Sequence, residues 1–296
     1  MKFNEYVLNN NLGEIVYDVS FKKLTTIGCG GLIDILYYPN NIENLIKAFS
    51  FIVNNKLQYF IIGNGSNVLA SDDKYNGIVI CLKKLKYEYE IINDRLIVSA
   101  FFPTIALAYD LAKKRLGDLS FLGGIPGLLG GAIYNNSGAF GDNISKHLIN
   151  VKYISKSGEI KQLDNKACCF EYRKSIFHQI EGIIIEAELK IEKINTMELL
   201  KERKEKRSNR QPLEYKSMGS IFKNNPKIES WRVIDKLNLR GYRINDAMIS
   251  NKHTNFIVNL GNARTSDILD LISYIQERSK EELGIILTPE ITIVKN

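Results

Sequence analysis

The sequence predicts a mixed helix-and-strand (α+β) fold of about two domains, and three observations carry that expectation. The 296 residues are close to twice an ordinary domain of roughly 150. Short β-branched runs alternate with stretches of helical periodicity. The composition, 45% hydrophobic and 25% charged, is that of a folded globular chain. Global disorder is excluded, since apolar content is high and net charge per residue is low. A chain of this length buries a large core without disulfides or metals.

The elements follow in order. Ile33–Tyr38 reads as a strand stopped at Pro39. Ile42, Leu45, Ile46, Phe49, Ile52 and Val53 fall on one face of an amphipathic helix. Tyr59–Ile62, Ile78–Ile80 and Leu96–Val98 are short strands. Leu107, Ala108, Leu111 and Ala112 mark a second helix, begun after Pro103 and stopped near Gly117. Strands follow at Val151–Ser155 and Ile183–Ile191. The charged run KERKEKRSNR, Lys201–Arg210, reads as a solvated helix or as a basic surface near a diphosphate, and it marks a domain boundary. The last third is a smaller α/β unit. It has a strand at Phe256–Val258, a helix capped by Thr265 or Ser266 with a stripe of Ile268, Leu271, Ile272 and Ile275, and a closing strand at Ile291–Val294.

Composition narrows the function classes. The longest uncharged stretch, Leu119–Gly141, holds seven glycines with Pro126, Asn135, Asn136 and Ser137, so it reads as a loop system and not a membrane span. The N-terminus MKFNEYVLNNN lacks an apolar signal region, so a cytoplasmic location is expected. Four cysteines and three histidines show no metal-ligand spacing and no disulfide framework. The net charge of +7 fits an anionic ligand, a nucleotide or a nucleic acid. Against nucleic acid, no aromatic-basic recognition motif occurs and the basic residues are interspersed with acids.

Two glycine clusters carry the chemistry. Strand Tyr59–Ile62 runs into Gly63, Asn64, Gly65, Ser66 and Asn67, where bare backbone N–H groups and short polar side chains suit a diphosphate. A tight turn is the other reading of the same residues. The second cluster, Gly123 to Gly141, places seven glycines in 19 residues, a large backbone entropy to give up for a mere connector. Close approach of backbone to a flat or charged ligand accounts for it, with a structural turn as the other reading. Neither cluster has the dinucleotide fingerprint or the G-x-x-x-x-G-K-[ST] loop.

In order along the chain, GNGSNVLASDD, GGIPGLLGGAIYNNSGAFGDNI, YRKSIF, MGSIFKNN, GYRINDAMISNKHTNFIVNLGNA and GIILTPEI resemble the UDP-N-acetylenolpyruvoylglucosamine reductases, also called UDP-N-acetylmuramate dehydrogenases. The likeness runs from about Thr25 to Ile291. It implies a two-subdomain FAD-binding fold of the vanillyl-alcohol-oxidase (PCMH) type plus a C-terminal α/β substrate domain, divided as 1–72, 73–195 and 196–296. It implies noncovalent FAD between the N-terminal subdomains, in keeping with the absence of His from both glycine loops. The cofactor is expected on Gly63, Asn64, Gly65, Ser66 and Asn67 and on Gly123, Ile125, Pro126, Gly127, Gly130, Gly131 and Ala132. NADPH is the implied hydride donor. The implied partners are this donor and a UDP-sugar, with neither nucleic acid nor membrane, and the protein is expected to be a monomer.

The resemblance also implies roles. Arg173 of YRKSIF is expected to meet the negative charge that collects on the substrate carboxylate, since a guanidinium stays charged and binds carboxylates bidentately. Ser220 of MGSIFKNN is the expected proton donor to carbon, with Lys223 or Lys216 easing the alkoxide. Glu290 is expected protonated beside the carboxylate, its pKa raised by burial and a like charge. Tyr172, Lys216 and Asn224 are substrate-binding candidates. The chain departs from the family pattern at Gly28, where a basic residue is common, and at Asn225 and Asn255, where Arg and Gly are frequent. Asn245-Asp246-Ala247-Met248 replaces a more usual Gly-Gly-Ala-Gln. The residues around Arg210–Leu213 look like the shorter subclass without a tyrosine loop.

Overall fold

The computed structural model, which describes residues 1–296, has seven α-helices, three of them on the periodic segments at 42–53, 107–112 and 268–275 and a fourth on the charged run. They are α1 (Phe3–Asn9), α2 (Ile42–Asn54), α3 (Thr104–Lys113), α4 (Leu129–Tyr134), α5 (Met197–Arg210), α6 (Ser230–Lys236) and α7 (Thr265–Leu283). In α2, the Asn41 side chain accepts the Asn44 amide, and Leu45, Ala48, Phe49 and Ile52 are buried on the face their spacing dictates. The strands expected at Ile33–Tyr38, Tyr59–Ile62, Ile78–Ile80, Leu96–Val98, Val151–Ser155 and Ile183–Ile191 are present within a residue or two, except that the third and the fifth each begin three residues earlier, at Tyr75 and Leu148. The loop expected across Leu119–Gly141 instead contains α4. Its two glycines oppose helix, but buried Leu129, Ala132 and Ile133 anchor it, so packing overrides propensity.

The chain forms two units, each assembled from separate segments. The first comprises Met1–Tyr17, Ile35–Gly63 and Gly77–Glu205; the second comprises Asp18–Asp34, Asn64–Asn76 and Lys206–Asn296.

In the first unit, Gly13–Val16 pairs antiparallel with the Leu36–Pro39 end of strand Leu32–Pro39. Tyr59–Ile62 pairs parallel with Ile78–Cys81. A parallel pair requires a crossover, and here the connection leaves at Gly63 to supply a segment of the second unit before returning at Gly77. Phe3, Val7, Leu45, Phe49, Ile52 and Ile80 close a core against α1 and α2. A second, antiparallel sheet runs in the order 160–164, 148–155, 182–190, 95–99, 89–92. Its core with α3 and α4 includes Leu96, Val98, Leu107, Leu111, Leu129 and Ile133.

In the second unit, a four-stranded antiparallel sheet has the order 216–217, 257–259, 247–249, 243–244. A separate parallel pair joins Val68–Ala70 to Thr292–Val294. Helices α6 and α7 cover a core that includes Val233, Ile234, Ile268, Leu271, Ile272 and Ile275. Ile27, Cys29 and Leu69, from the early segments, belong to this same core. The start of α7 differs from expectation. The Asp72 carboxylate accepts the Thr265 and Ser266 amides (both 2.9 Å), and Asp267 accepts that of Arg264 (2.8 Å). The Thr265 hydroxyl turns instead to the Ala70 carbonyl (2.6 Å). A carboxylate at a helix N-terminus satisfies open amides and meets the positive end of the helix dipole. No helix is long and apolar enough to cross a membrane.

Also in the second unit, His253 packs edge-on to Phe256, with ring centroids 4.9 Å apart, and its Nδ1 is buried without a hydrogen-bond partner. Burial holds its pKa below the ordinary 6.5. Unfolding therefore exposes a group that takes up a proton more readily than the folded one. Stability is expected to fall as pH drops below about 6.5 and to level off once the folded-state pKa is passed. Urea denaturation of His253→Phe at several pH values should show this part of the pH slope removed; an unchanged slope would assign it elsewhere.

Candidate active site

The first unit builds its glycine loop on the rim of a sheet. The buried Thr104 hydroxyl donates to the carbonyls of Ile125 and, at 3.2 Å, Gly127, and the Thr104 amide also donates to Gly127 O (3.1 Å). Leu129 N donates to Phe102 O (2.9 Å) and Gly130 N to Ala100 O (2.7 Å). Residues 125–130 are thereby laid along 100–104. The glycines then separate by function. A methyl on Gly123 would lie 2.2 Å from Leu200 Cδ2, and one on Gly130 would lie 3.2 Å from Ala100 Cβ, so both are glycines for packing. One on Gly63 would lie 3.0 Å from Leu128 Cδ1. Gly131 is different: nothing stands within 4 Å of its missing methyl. Pro126 and Gly131 are exposed, Ile125 and Gly127 are half-buried, and Ala132 is buried.

The YRKSIF segment is clamped to the end of α4. The buried Asn136 side chain donates to Glu171 O (3.0 Å) and accepts the Ser145 amide (3.0 Å). The buried Ser175 hydroxyl donates to Tyr134 O (2.7 Å). Between them Glu171 and Lys174 exchange backbone bonds of 3.1 and 3.3 Å, which forces Arg173 into the left-handed region, φ 55°. For a non-glycine residue this conformation is strained by roughly 1–3 kcal/mol and persists only where the surroundings fix it. The Arg173 guanidinium donates to Gly138 O (3.1 Å) and lies 5.1 Å from the ring centroid of exposed Tyr172. Two motifs 35 residues apart, NNSG and YRKS, are thus one structure.

In the second unit the first glycine loop meets the PE motif. Gly65 adopts φ +62°, and a methyl there would fall 2.2 Å from Leu24 O, so glycine is required twice over. Its carbonyl accepts Thr26 N (3.1 Å). Asn64, Ser66 and Asn67 are half-buried. Asn67 Nδ2 donates to Glu290 O (3.2 Å), and Asn67 O accepts Thr292 N (2.9 Å). Glu290 N donates in turn to Ile221 O (2.7 Å), and Lys223 N to Thr288 O (2.9 Å). Glu290 and the Ser220 segment therefore lie side by side.

Asn255 sets that segment. Only 3% exposed, it accepts Ile221 N on its backbone carbonyl (2.9 Å). Its side chain accepts Phe222 N and donates to Phe222 O, both at 2.9 Å. The amide here replaces the frequent glycine and acts as a two-point clamp. Before Ser220, Gly219 turns the backbone at φ +82°. Asn224 Oδ1 accepts Ser230 N (3.1 Å) at the start of α6, and Asn225 Oδ1 accepts Lys227 N (2.9 Å). The exposed Lys216 stem passes over Gly28. Arg173 belongs to the first unit; Ser220, Glu290, Lys216 and Asn224 belong to the second. Asn136, Asn255 and Asn259 lie within the quoted motifs but nothing in their spacing marks them as clamps, although a buried asparagine beside a glycine turn is a recurrent device for holding loop backbone.

The α+β fold with its glycine-loop site defines an FAD-binding oxidoreductase. A family model described as an FAD binding domain matches residues 33–164, and one described as the UDP-N-acetylenolpyruvoylglucosamine reductase C-terminal domain matches residues 211–294. A UDP-N-acetylenolpyruvoylglucosamine reductase of Caldanaerobacter subterraneus is 35% identical over 95% of this chain and 94% of its own length. One from Clostridium botulinum is 35% identical over 99% and 96%. The crystal structure of the Thermus caldophilus enzyme has a TM-score of 0.78 at 32% identity, covering 96% of this chain and 99% of its own. The chain belongs to the UDP-N-acetylenolpyruvoylglucosamine reductase family.

The residues present fit a flavin dinucleotide. The space over Gly131 is one a side chain would fill, and the Gly63–Asn67 turn offers short polar side chains around a glycine that cannot be replaced. No group of three or more His, Cys, Asp or Glu is placed to hold a metal ion.

Asn255→Ala strands the buried Phe222 N–H and C=O. It is expected to destabilise the protein by about 3 kcal/mol, seen as a lower urea midpoint at unchanged m-value. A shift under about 0.5 kcal/mol would mean the clamp is dispensable.

Proposed function

We propose that this protein reduces UDP-N-acetyl-3-O-(1-carboxyvinyl)-glucosamine to UDP-N-acetylmuramate, with electrons from NADPH carried by noncovalently bound FAD. This is a step of peptidoglycan precursor synthesis, placed in the cytoplasm and carried out by a monomer. The observation that supports the reading most is the backbone link between the Ser220 segment and Glu290, two motif residues 70 positions apart joined through Ile221 O. In this reading residues 1–72 and 73–195 hold the cofactor, and 196–296 hold the substrate.

Bound FAD supplies a hydride to the terminal carbon of the enolpyruvyl group. The chain's own residues handle charge and proton. Arg173 holds the substrate carboxylate, where negative charge collects; its fixed turn and Gly138 contact spare it reorganisation at the moment of reaction. Ser220 gives its hydroxyl proton to the neighbouring carbon. Glu290, in its protonated form, donates a hydrogen bond to the carboxylate. Lys216, Tyr172 and Asn224 bind the sugar nucleotide. Gly63–Asn67, Gly123, Ile125, Pro126, Gly127, Gly130, Gly131 and Ala132 hold the dinucleotide, Gly123 and Gly130 by shaping the loop through packing and Gly131 by leaving its face open.

The purified protein is expected to be yellow, with the absorbance bands of free FAD; a colourless protein that cannot be reconstituted would overturn the reading. In rapid-mixing absorbance experiments, Ser220→Ala should still let NADPH bleach the flavin but should block its reoxidation by the enolpyruvyl sugar nucleotide. Normal rates in both halves would remove Ser220 as the acid. Gly131→Ala should leave the melting temperature of the flavin-free protein equal or higher, since alanine favours helix by about 1 kcal/mol, while weakening FAD in a fluorescence titration. Unchanged FAD affinity would place the cofactor away from α4.

A further inference from the structure

Gly28 adopts φ +70°, and a methyl built on it would lie 2.8 Å from Lys216 Cδ, 3.6 Å from Cε and 3.4 Å from Nζ. The outer half of the lysine thus lies across the bare face of the glycine. The segment carrying Gly28 is fastened to the strand carrying Lys216. Thr26 Oγ1 donates to Ser217 O (2.7 Å). Asn259, the cross-strand partner of Lys216, is buried, and its Nδ2 donates to Ile27 O (2.9 Å) and Gly28 O (3.4 Å). Its Oδ1 accepts Gly261 N and Ala263 N at 2.8 and 3.0 Å, which fixes the orientation of the amide. These contacts close a ring: Lys216 backbone to Asn259, Asn259 side chain to Gly28, and Gly28 to the Lys216 side chain.

We propose that Gly28 and Asn259 are positioning residues for the Lys216 ammonium, setting where it meets a phosphate of the sugar nucleotide. The proposal rests on the reading of Lys216 as a substrate-binding residue. An ammonium on a flexible four-carbon stem loses much conformational freedom when it docks on an anion. A stem already laid over a bare Cα, on a turn held by a buried amide, has less to lose. Conformation and space are separable at position 28. Asparagine tolerates positive φ but fills the volume that the lysine occupies, so Gly28→Asn keeps the backbone and evicts the side chain.

The test is a double-mutant cycle on the FAD-loaded protein, read by calorimetric titration with UDP-N-acetylmuramate and by steady-state kinetics. Thermal melting accompanies each variant to show that it folds. Lys216→Met and Gly28→Asn should each weaken the nucleotide about tenfold, in Kd and in KM. The double variant should bind no more weakly than Lys216→Met alone, because Gly28→Asn then has no ammonium to displace. Asn259→Ser should follow the same pattern. If Gly28→Asn weakens binding by the same factor with and without Lys216, Gly28 acts through the backbone and the proposal fails while the role of Lys216 stands. If Lys216→Met binds as tightly as the unaltered protein, the reading of Lys216 fails first and takes the proposal with it.

Discussion

The second unit depends on a single parallel strand pair. Val68–Ala70 lies beside Thr292–Val294, so residues more than 220 positions apart share a ladder. Several contacts that organise this part of the site start at its ends. Just before the pair, Asn67 holds Glu290 and Thr292; just after it, Asp72 caps α7; from its last residue, Ala70 O receives the Thr265 hydroxyl. A parallel ladder of three residues gives little local reward for the long connection it closes. The polar contacts at its two ends supply what the short ladder lacks.

Neutral amides do most of the holding. Asn136, Asn255 and Asn259 are buried and each binds main-chain groups on more than one side. An amide offers both donors and acceptors without the desolvation penalty of a buried charge. It also leaves the local potential to the groups that act on ligand. A carboxylate in the place of Asn255 would lose its bond to Phe222 O and set a negative charge beside the Ser220 turn.

Much of this was legible in the sequence, for local reasons. Strand Tyr59–Ile62 and helix α2 announce themselves by composition and spacing, and the motif order points to the family from Arg173, Ser220 and Glu290. What was not legible is non-local. That residues 18–34 and 64–76 join the C-terminal unit has no signature in any window of the chain. Helix α4 hides because its glycines read as loop, while the burial of Leu129 and Ile133 decides otherwise. The capping of α7 by Asp72 hides because the cap lies 193 residues from the amide it satisfies. The expected division of labour among Gly63–Asn67 and Gly123–Gly131 likewise gives no hint that Gly123 and Gly130 serve packing while Gly131 faces open space.

The interleaving of segments bears on how the polypeptide is made. Asp34 leaves the ribosome more than 170 residues ahead of Lys206, yet both end in one unit. Ile27, Cys29 and Leu69 must wait, apolar and unburied, until the last part of the chain emerges to enclose them. Vectorial synthesis therefore cannot finish this half of the molecule early. It is assembled only once residues 206–296 have been made, through long-range closure of the kind that slows folding.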